Sequence, residues 1–185
     1  PSQRYKMVYL NLDTSKTGGS PGGLRLDHSP DGIDWTPSEV NPIIPGWRSD
    51  VEILTYDPED NKYVLWGRYG GTPGSGHPDV DSWFAPVWPG RPEGVWGTRR
   101  RIYRLESPDL KEWSEPELLW DPDDTDNLDD AFYGFVPWRA GELHLGLLNV
   151  LHQVDNTLDM YLHYSRDGRD WARFLDHRPF VPRGG

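Results

Sequence analysis

Three acidic side chains offer this sequence its most direct chemistry. Asp50 lies in the stretch Trp47-Arg48-Ser49-Asp50-Val51-Glu52, at the head of the strand-like run VEILTY. Asp130 lies in Asp129-Asp130-Ala131-Phe132-Tyr133-Gly134, at the head of AFYGFVPW. Two carboxylates on neighbouring strands can flank a glycosidic bond, one protonating the leaving oxygen while the other serves as base or nucleophile. Glu52 follows Asp50 by two residues, so it shares a strand face with it and is the alternative proton donor. Arg48, Arg68, Tyr133 and His152 lie close to these acids in the pattern and suit the positioning of sugar hydroxyls. The structural alternative is that Asp50 and Asp130 cap their strands or pair with Arg48 or Arg68.

Residues 70–99 form a second candidate element. Structureless loops beyond about 15 residues are rare in compact domains unless they are functional or disordered. This one holds Trp83, Phe84, Trp88 and Trp96. Trp83 and Trp88 suit stacking on the apolar C–H face of a sugar ring, and the alternative is a lid packed on its own blade or a neighbouring subunit. His77 in the same loop reads as a surface residue. The run 121–130 places six Asp in ten residues and invites a Ca²⁺ site, since hard cations take carboxylate oxygens. It fails the EF-hand pattern, with Asp126 where Gly is needed and Phe132 where Glu is needed, so a solvated loop is the preferred reading. No other metal and no organic cofactor is expected. Asn149 and His152 are further candidates for sugar hydroxyls, while His144 and His163 fall inside strands and read as hydrogen-bonded blade residues.

The elements that must position these groups announce themselves as a repeat. Ser29-Pro-Asp31-Gly-Ile-Asp-Trp35, Ser107-Pro-Asp109-Leu-Lys-Glu-Trp113 and Ser165-Arg-Asp167-Gly-Arg-Asp-Trp171 share the pattern S-x-D-x-x-x-W. Each copy follows a short run rich in aromatic or branched residues: GLRLDH, RIYRLE or MYLHY. Ser and Asp close such turns by accepting backbone N–H bonds, and the Trp packs back as an anchor. Gly32 and Gly168 permit positive φ; Leu110 in the middle copy shows that Gly is not obligatory. Two hairpins lie between the turns, 51–56 with 62–69 and 131–138 with 142–151.

The repeating unit is therefore hairpin, third strand, turn, fourth strand, as in a β-propeller blade. The expected fold is all-β, a propeller of four-stranded antiparallel blades, in one partial domain over 1–185. Its blades span about 1–45, 50–120 and 130–181, with 70–99 as an insertion. The first part holds only KMVYLNL, GLRLDH and a fourth strand near 39–44, without a first strand of its own. Propellers close at about four to eight blades, so this span is expected to belong to a larger ring. In such a meander the S-x-D-x-x-x-W turns occupy one end. The segments 13–22, 45–50, 70–99, 121–130 and 152–157 occupy the other, which is the functional end.

Composition narrows the classes further. The chain has 185 residues and no Cys, which excludes disulfides and thiolate metal sites. The net charge of −11 argues against a nucleic-acid binder, whose footprint is basic. No apolar run of about 18 residues is present to span a bilayer. Ten Trp and nine Tyr argue against disorder. The start PSQRYKMVYL does not begin with Met and has no apolar signal region, and reads as a chain cut from something longer. Nothing in the sequence specifies an oligomeric state or a compartment.

With these residues in view, the chain resembles the five-bladed β-propeller glycoside hydrolases of families 32 and 43, more narrowly a family-32-like branch. The resemblance lies in RYKMVYL, HSPDGIDWTP, SDVEILTYDPEDNKYVLWGR, RRRIYRLESPDLKEWSEPELLWDPDD, DDAFYGF and YSRDGRDWARFLDHRPFVPRGG. It implies carboxylates on the first strands of successive blades, which by position are Asp50 and Asp130, and a carbohydrate substrate. It also implies a further blade beyond residue 185. Two motifs depart from the family. Arg48-Ser49-Asp50-Val51 replaces an Arg-Asp-Pro triplet, and the Glu-Cys pair of the usual proton donor is absent, leaving Asp130 or Glu52 at that level. The expected activity is glycoside hydrolysis; the rivals are a glycan-binding propeller without catalysis and a protein-interaction scaffold.

Overall fold

The computed structural model describes residues 2–11, 22–47, 49, 51–68, 100–127 and 129–183. These form twelve strands in three antiparallel sheets, with no helix among the described residues. The first sheet holds β1 (Tyr5–Asn11), β2 (Gly23–Ser29), β3 (Thr36–Pro37) and β4 (Ile44–Pro45). The second is the meander β5 (Glu52–Asp57), β6 (Lys62–Gly67), β7 (Ile102–Ser107) and β8 (Glu117–Trp120). The third is β9 (Asp130–Ala140), β10 (Leu143–His152), β11 (Thr157–Ser165) and β12 (Trp171–Arg173). The fold is all-β, and the sheets are successive propeller blades.

In the first sheet β3 and β4 both pair with β2, so four strands occupy three positions. The outer strand expected near 39–44 is thus split. Between its pieces the Asn41 side chain takes the place of a strand neighbour, accepting from Leu26 N at 2.7 Å and donating to Leu26 O at 2.8 Å. An amide side chain carries the same donor and acceptor as a peptide group, so the ladder stays satisfied across the gap.

Period-two alternation explains how the blades stack. On β6, Leu65 faces one way with its cross-strand partners Leu54 and Leu105, while Val64 and Trp66 face the other. The first set joins Leu24, Leu26, Ile43, Trp47 and Leu110 in a core between sheets one and two. The second joins Ile102, Phe132, Phe135, Leu148 and Val150 in a core between sheets two and three. The middle sheet is therefore covered on both faces. The far face of the third sheet still exposes Val136, Trp138, Leu158, Met160 and Tyr164.

The three repeated turns are built alike. Ser29 Oγ accepts from Gly32 N at 2.8 Å, Ser107 Oγ from Leu110 N at 2.8 Å, and Ser165 Oγ from Gly168 N at 2.9 Å. Asp31, Asp109 and Asp167 each accept two backbone N–H bonds at 2.8–3.0 Å. These bonds hold the Asp167 carboxyl down to about 2. The residue after each Asp is left-handed, with φ of 86° at Gly32, 65° at Leu110 and 71° at Gly168. Leu110 accepts that strain because its side chain is almost wholly buried in the first core.

Candidate functional site

Strand direction gathers the chemistry at one end. There β5 and β9 begin, β6 ends and β7 begins, and β10 turns into β11. Glu52, Arg68, Arg100, Asp130, Tyr133 and His152 all stand at that end, opposite the S-x-D-x-x-x-W turns. Asp50, Arg48, His77, Trp83 and Trp88 lie outside the described residues.

The end of the third sheet carries a buried polar cluster. His152 Nδ1 is 2.7 Å from Asp130 Oδ1, and His152 Nε2 is 2.8 Å from Asp159 Oδ2. All three residues are under a tenth exposed, at 7%, 4% and 8% for His152, Asp130 and Asp159. Two ionised carboxylates only accept, so both contacts are hydrogen bonds when the ring carries two N–H groups, as an imidazolium. Burial works against that charge, but the bonds to Asp159 and Asp130 outweigh it and raise the His152 pKa. Burial likewise pushes Asp159 up, yet the Arg183 N–H bond at 2.6 Å and the imidazolium hold it below the usual carboxylate range. Asp130 Oδ2 accepts from Asn127 N at 3.0 Å and Asn127 Nδ2 at 3.2 Å. The cluster thus ties the 121–130 connection, through three strands, to residue 183.

This arrangement changes the role of His152. Both ring nitrogens are engaged with carboxylates, so neither is left for a sugar hydroxyl. Asp130 has both oxygens occupied as well. Sequence reasoning missed Asp159. Its signal was an acid at the inward parity of TLDMYLHY, on the same strand face as Tyr161 and His163.

Glu52 stands apart, on the side of β5 that faces the first sheet. Trp47 Nε1 donates to Glu52 Oε1 at 2.5 Å, and the indole itself is 2% exposed. Burial raises the Glu52 pKa, and the bonds from Trp47 and Ser49 offset this only in part. Gly67 lies directly across the ladder, where an added Cβ would stand 3.2 Å from the Trp47 ring and 3.5 Å from Glu52 Cγ. A small residue there lets the indole and the carboxyl pack together.

Tyr133 occupies the irregularity in β9, where the register with β10 shifts between Asn149 and Val150. The bulge puts Phe132 and Phe135 on one face and frees Tyr133 from the ladder. The guanidinium carbons of Arg68 and Arg100 lie 4.6 Å and 4.8 Å from its ring centre. Burial, and then the neighbouring Arg100 charge, lower Arg68 to about 10, and burial lowers Arg100 too.

The acid-rich connection is pinned to the chain's own donors. Asp121 accepts from Arg101 at 2.8 Å, Asp126 from Arg173 at 2.8 Å, and Asp123 from Thr125 N at 2.7 Å. Among the described residues no group of three His, Asp or Glu is arranged to hold a metal ion. Beneath this connection lies a pocket lined in part by Asp126, Asp130, Tyr161, His163 and Arg173. His163 is not fully hydrogen-bonded as expected: Nδ1 meets Tyr161 O at 3.1 Å, but Nε2 is buried without a partner. Desolvation lowers it to about 4, so it is neutral.

Comparison with known proteins bears on the fold. No family model matches the chain, and no curated protein sequence does. Solved structures do match. An N-acetylgalactosamine deacetylase from F. plautii, solved with blood group B trisaccharide, aligns over 98% of this chain and 54% of its own, at 14% identity and TM-score 0.59. A thermostable family-43 glycoside hydrolase aligns over 97% and 52%, at 13% identity and TM-score 0.63. The Bombyx mori family-32 β-fructofuranosidase aligns over 92% and 34%, at 11% identity and TM-score 0.54. The chain spans about half the length of the first two. It shares the propeller fold of family-43 and family-32 glycoside hydrolases.

Proposed function

We propose that this chain is part of a carbohydrate-active propeller that cleaves glycosidic bonds, with Glu52 as the proton donor. The observation that carries this reading is the setting of Glu52. It heads an inner strand at the loop-rich end of the sheets, and burial favours its protonated form. A general acid must hold its proton near working pH and release it to the leaving oxygen. Asp50, two residues earlier, is proposed as the base or nucleophile. Asp130, hydrogen-bonded to His152, is proposed to place its carboxylate beside a sugar ring that becomes cationic in the transition state. Trp83 and Trp88 are proposed to stack on the sugar, with Arg48, Arg68 and Tyr133 orienting it. The matched structures support the substrate class through their own names, which speak of sugars but of two different reactions.

A second reading is glycan binding without catalysis. It is favoured by Asp130, whose two oxygens already accept hydrogen bonds. One experiment separates the two. The full-length protein is assayed on aryl glycosides and on plant and algal polysaccharides, beside Glu52→Gln, Asp50→Asn and Asp130→Asn. Turnover that falls by orders of magnitude in Glu52→Gln, with folding intact, supports hydrolysis. Glycan binding with no turnover, unchanged in all three variants, supports the binding reading.

A further inference from the structure

We infer that Arg100, with Arg68 beside it on Tyr133, forms a subsite for an anionic sugar substituent, so that the glycan taken at this end carries carboxylate or sulfate groups. This rests on the carbohydrate reading and narrows its substrate class.

The argument starts from counter-ions. The chain has 30 acidic side chains against 19 basic ones, so carboxylates are in excess. Neighbouring arginines use them. Arg101 pairs with Asp121 at 2.8 Å, Arg104 with Glu106 and Glu117, and Arg173 with Asp126 at 2.8 Å. Arg100 pairs with no carboxylate among the described residues, and its Nη1 is buried without a hydrogen-bond partner. Instead it shares the Tyr133 ring with a second guanidinium. Two like charges drawn partly out of water repel one another, and the lowered pKa of Arg68 registers this. A desolvated guanidinium nitrogen without a hydrogen-bond partner, as Arg100 Nη1 is, is costly, and perturbed charged groups concentrate at functional sites.

The geometry is fixed in advance. Arg100 O accepts from Phe132 N at 3.0 Å, which ties the Arg100 backbone to the inner strand β9. The ring of Tyr133 braces both guanidinium groups. Guanidinium presents a planar fork of donors that matches carboxylate or sulfate oxygens, which a neutral hydroxyl does not.

The test measures binding of the full-length protein to polygalacturonate, a sulfated galactan, neutral arabinan and neutral xylan, by affinity electrophoresis at low and high salt. Arg100→Gln and Arg100→Lys are compared with the parent; Arg139→Ala, at the opposite end, is the control. Folding of each variant is checked by its unfolding midpoint. Arg100→Gln is expected to weaken the anionic glycan about 10- to 100-fold, with Arg100→Lys intermediate and Arg139→Ala unchanged. Preference for polygalacturonate over the sulfated galactan assigns carboxylate, and the reverse assigns sulfate. Binding of neutral glycans alone, or anionic affinity untouched in both Arg100 variants, overturns the subsite and leaves the carbohydrate reading standing. Binding of none of the four overturns both.

Discussion

Removal of the His152 imidazole tests the reading of the buried cluster most directly. In His152→Ala, Asp130 and Asp159 lose their shared cation in a site where each is under a tenth exposed. Deleting one member of a buried ion pair costs about 3–5 kcal/mol, because the remaining charge is uncompensated. Asp130 keeps its two Asn127 bonds and Asp159 keeps the Arg183 N–H, which places the expectation near the lower bound, about 3 kcal/mol. Domains of this kind have about 5–15 kcal/mol in all, so the effect is large. The parent should also show a pH signature. His152 has a folded pKa above its unfolded value of about 6.5, so its stabilisation is complete below about pH 6.5 and is lost as pH rises through the folded value. The limiting slope is about 1.4 kcal/mol per pH unit. Asp159 has a depressed folded pKa, so its contribution is present above about pH 3.9 and is lost as pH falls through the folded value. Urea unfolding of the full chain, followed by Trp fluorescence from pH 2 to 9, measures both limbs. His152→Gln should flatten the alkaline one. A His152→Ala loss under about 1 kcal/mol, or an alkaline limb unchanged in His152→Gln, would refute the imidazolium assignment.

Three further outcomes are expected. Gly146→Ala builds a Cβ into the Phe135 ring and 3.1 Å from Trp171, so overpacking should cost about 1–3 kcal/mol in urea unfolding. Leu110→Gly relieves a left-handed φ of 65° but empties a core position that is 1% exposed; the cavity outweighs the strain, for a net loss of about 1–3 kcal/mol by the same assay. Trp47→Phe deletes the N–H that steadies the Glu52 carboxylate, so the Glu52 pKa rises further. If Glu52 is the proton donor, the alkaline limb of kcat/KM moves to higher pH, and an unmoved limb removes Glu52 from that role.

Much of the local architecture was legible from residue order. A Ser and an Asp two residues apart can close a turn using only their immediate neighbours, and the three turns have the expected bonds. Hairpins at 52–57 with 62–67 and 130–140 with 143–152 follow from alternation around polar turns. Strand parity then placed the loop-rich end, because direction in an antiparallel meander alternates by necessity. The split outer strand of the first sheet was not legible, since nothing local marks Asn41 as a surrogate for a peptide group.

The sequence by itself determined which segments become strands, where they turn and which end collects the loops, because each depends on contacts within a few residues. Only the tertiary structure decided what the functional side chains touch. His152, Asp130 and Asp159 lie on three strands, and their meeting depends on the register that pairs His152 with Asp130 and Val150 with Asp159. A slip of one residue would turn Asp159 to the opposite face. Arg68 and Arg100 converge on Tyr133 because a bulge in β9 moves that ring out of the ladder. Register and bulges are set by packing between blades, which is why the charge states of this site belong to the fold and not to any one segment.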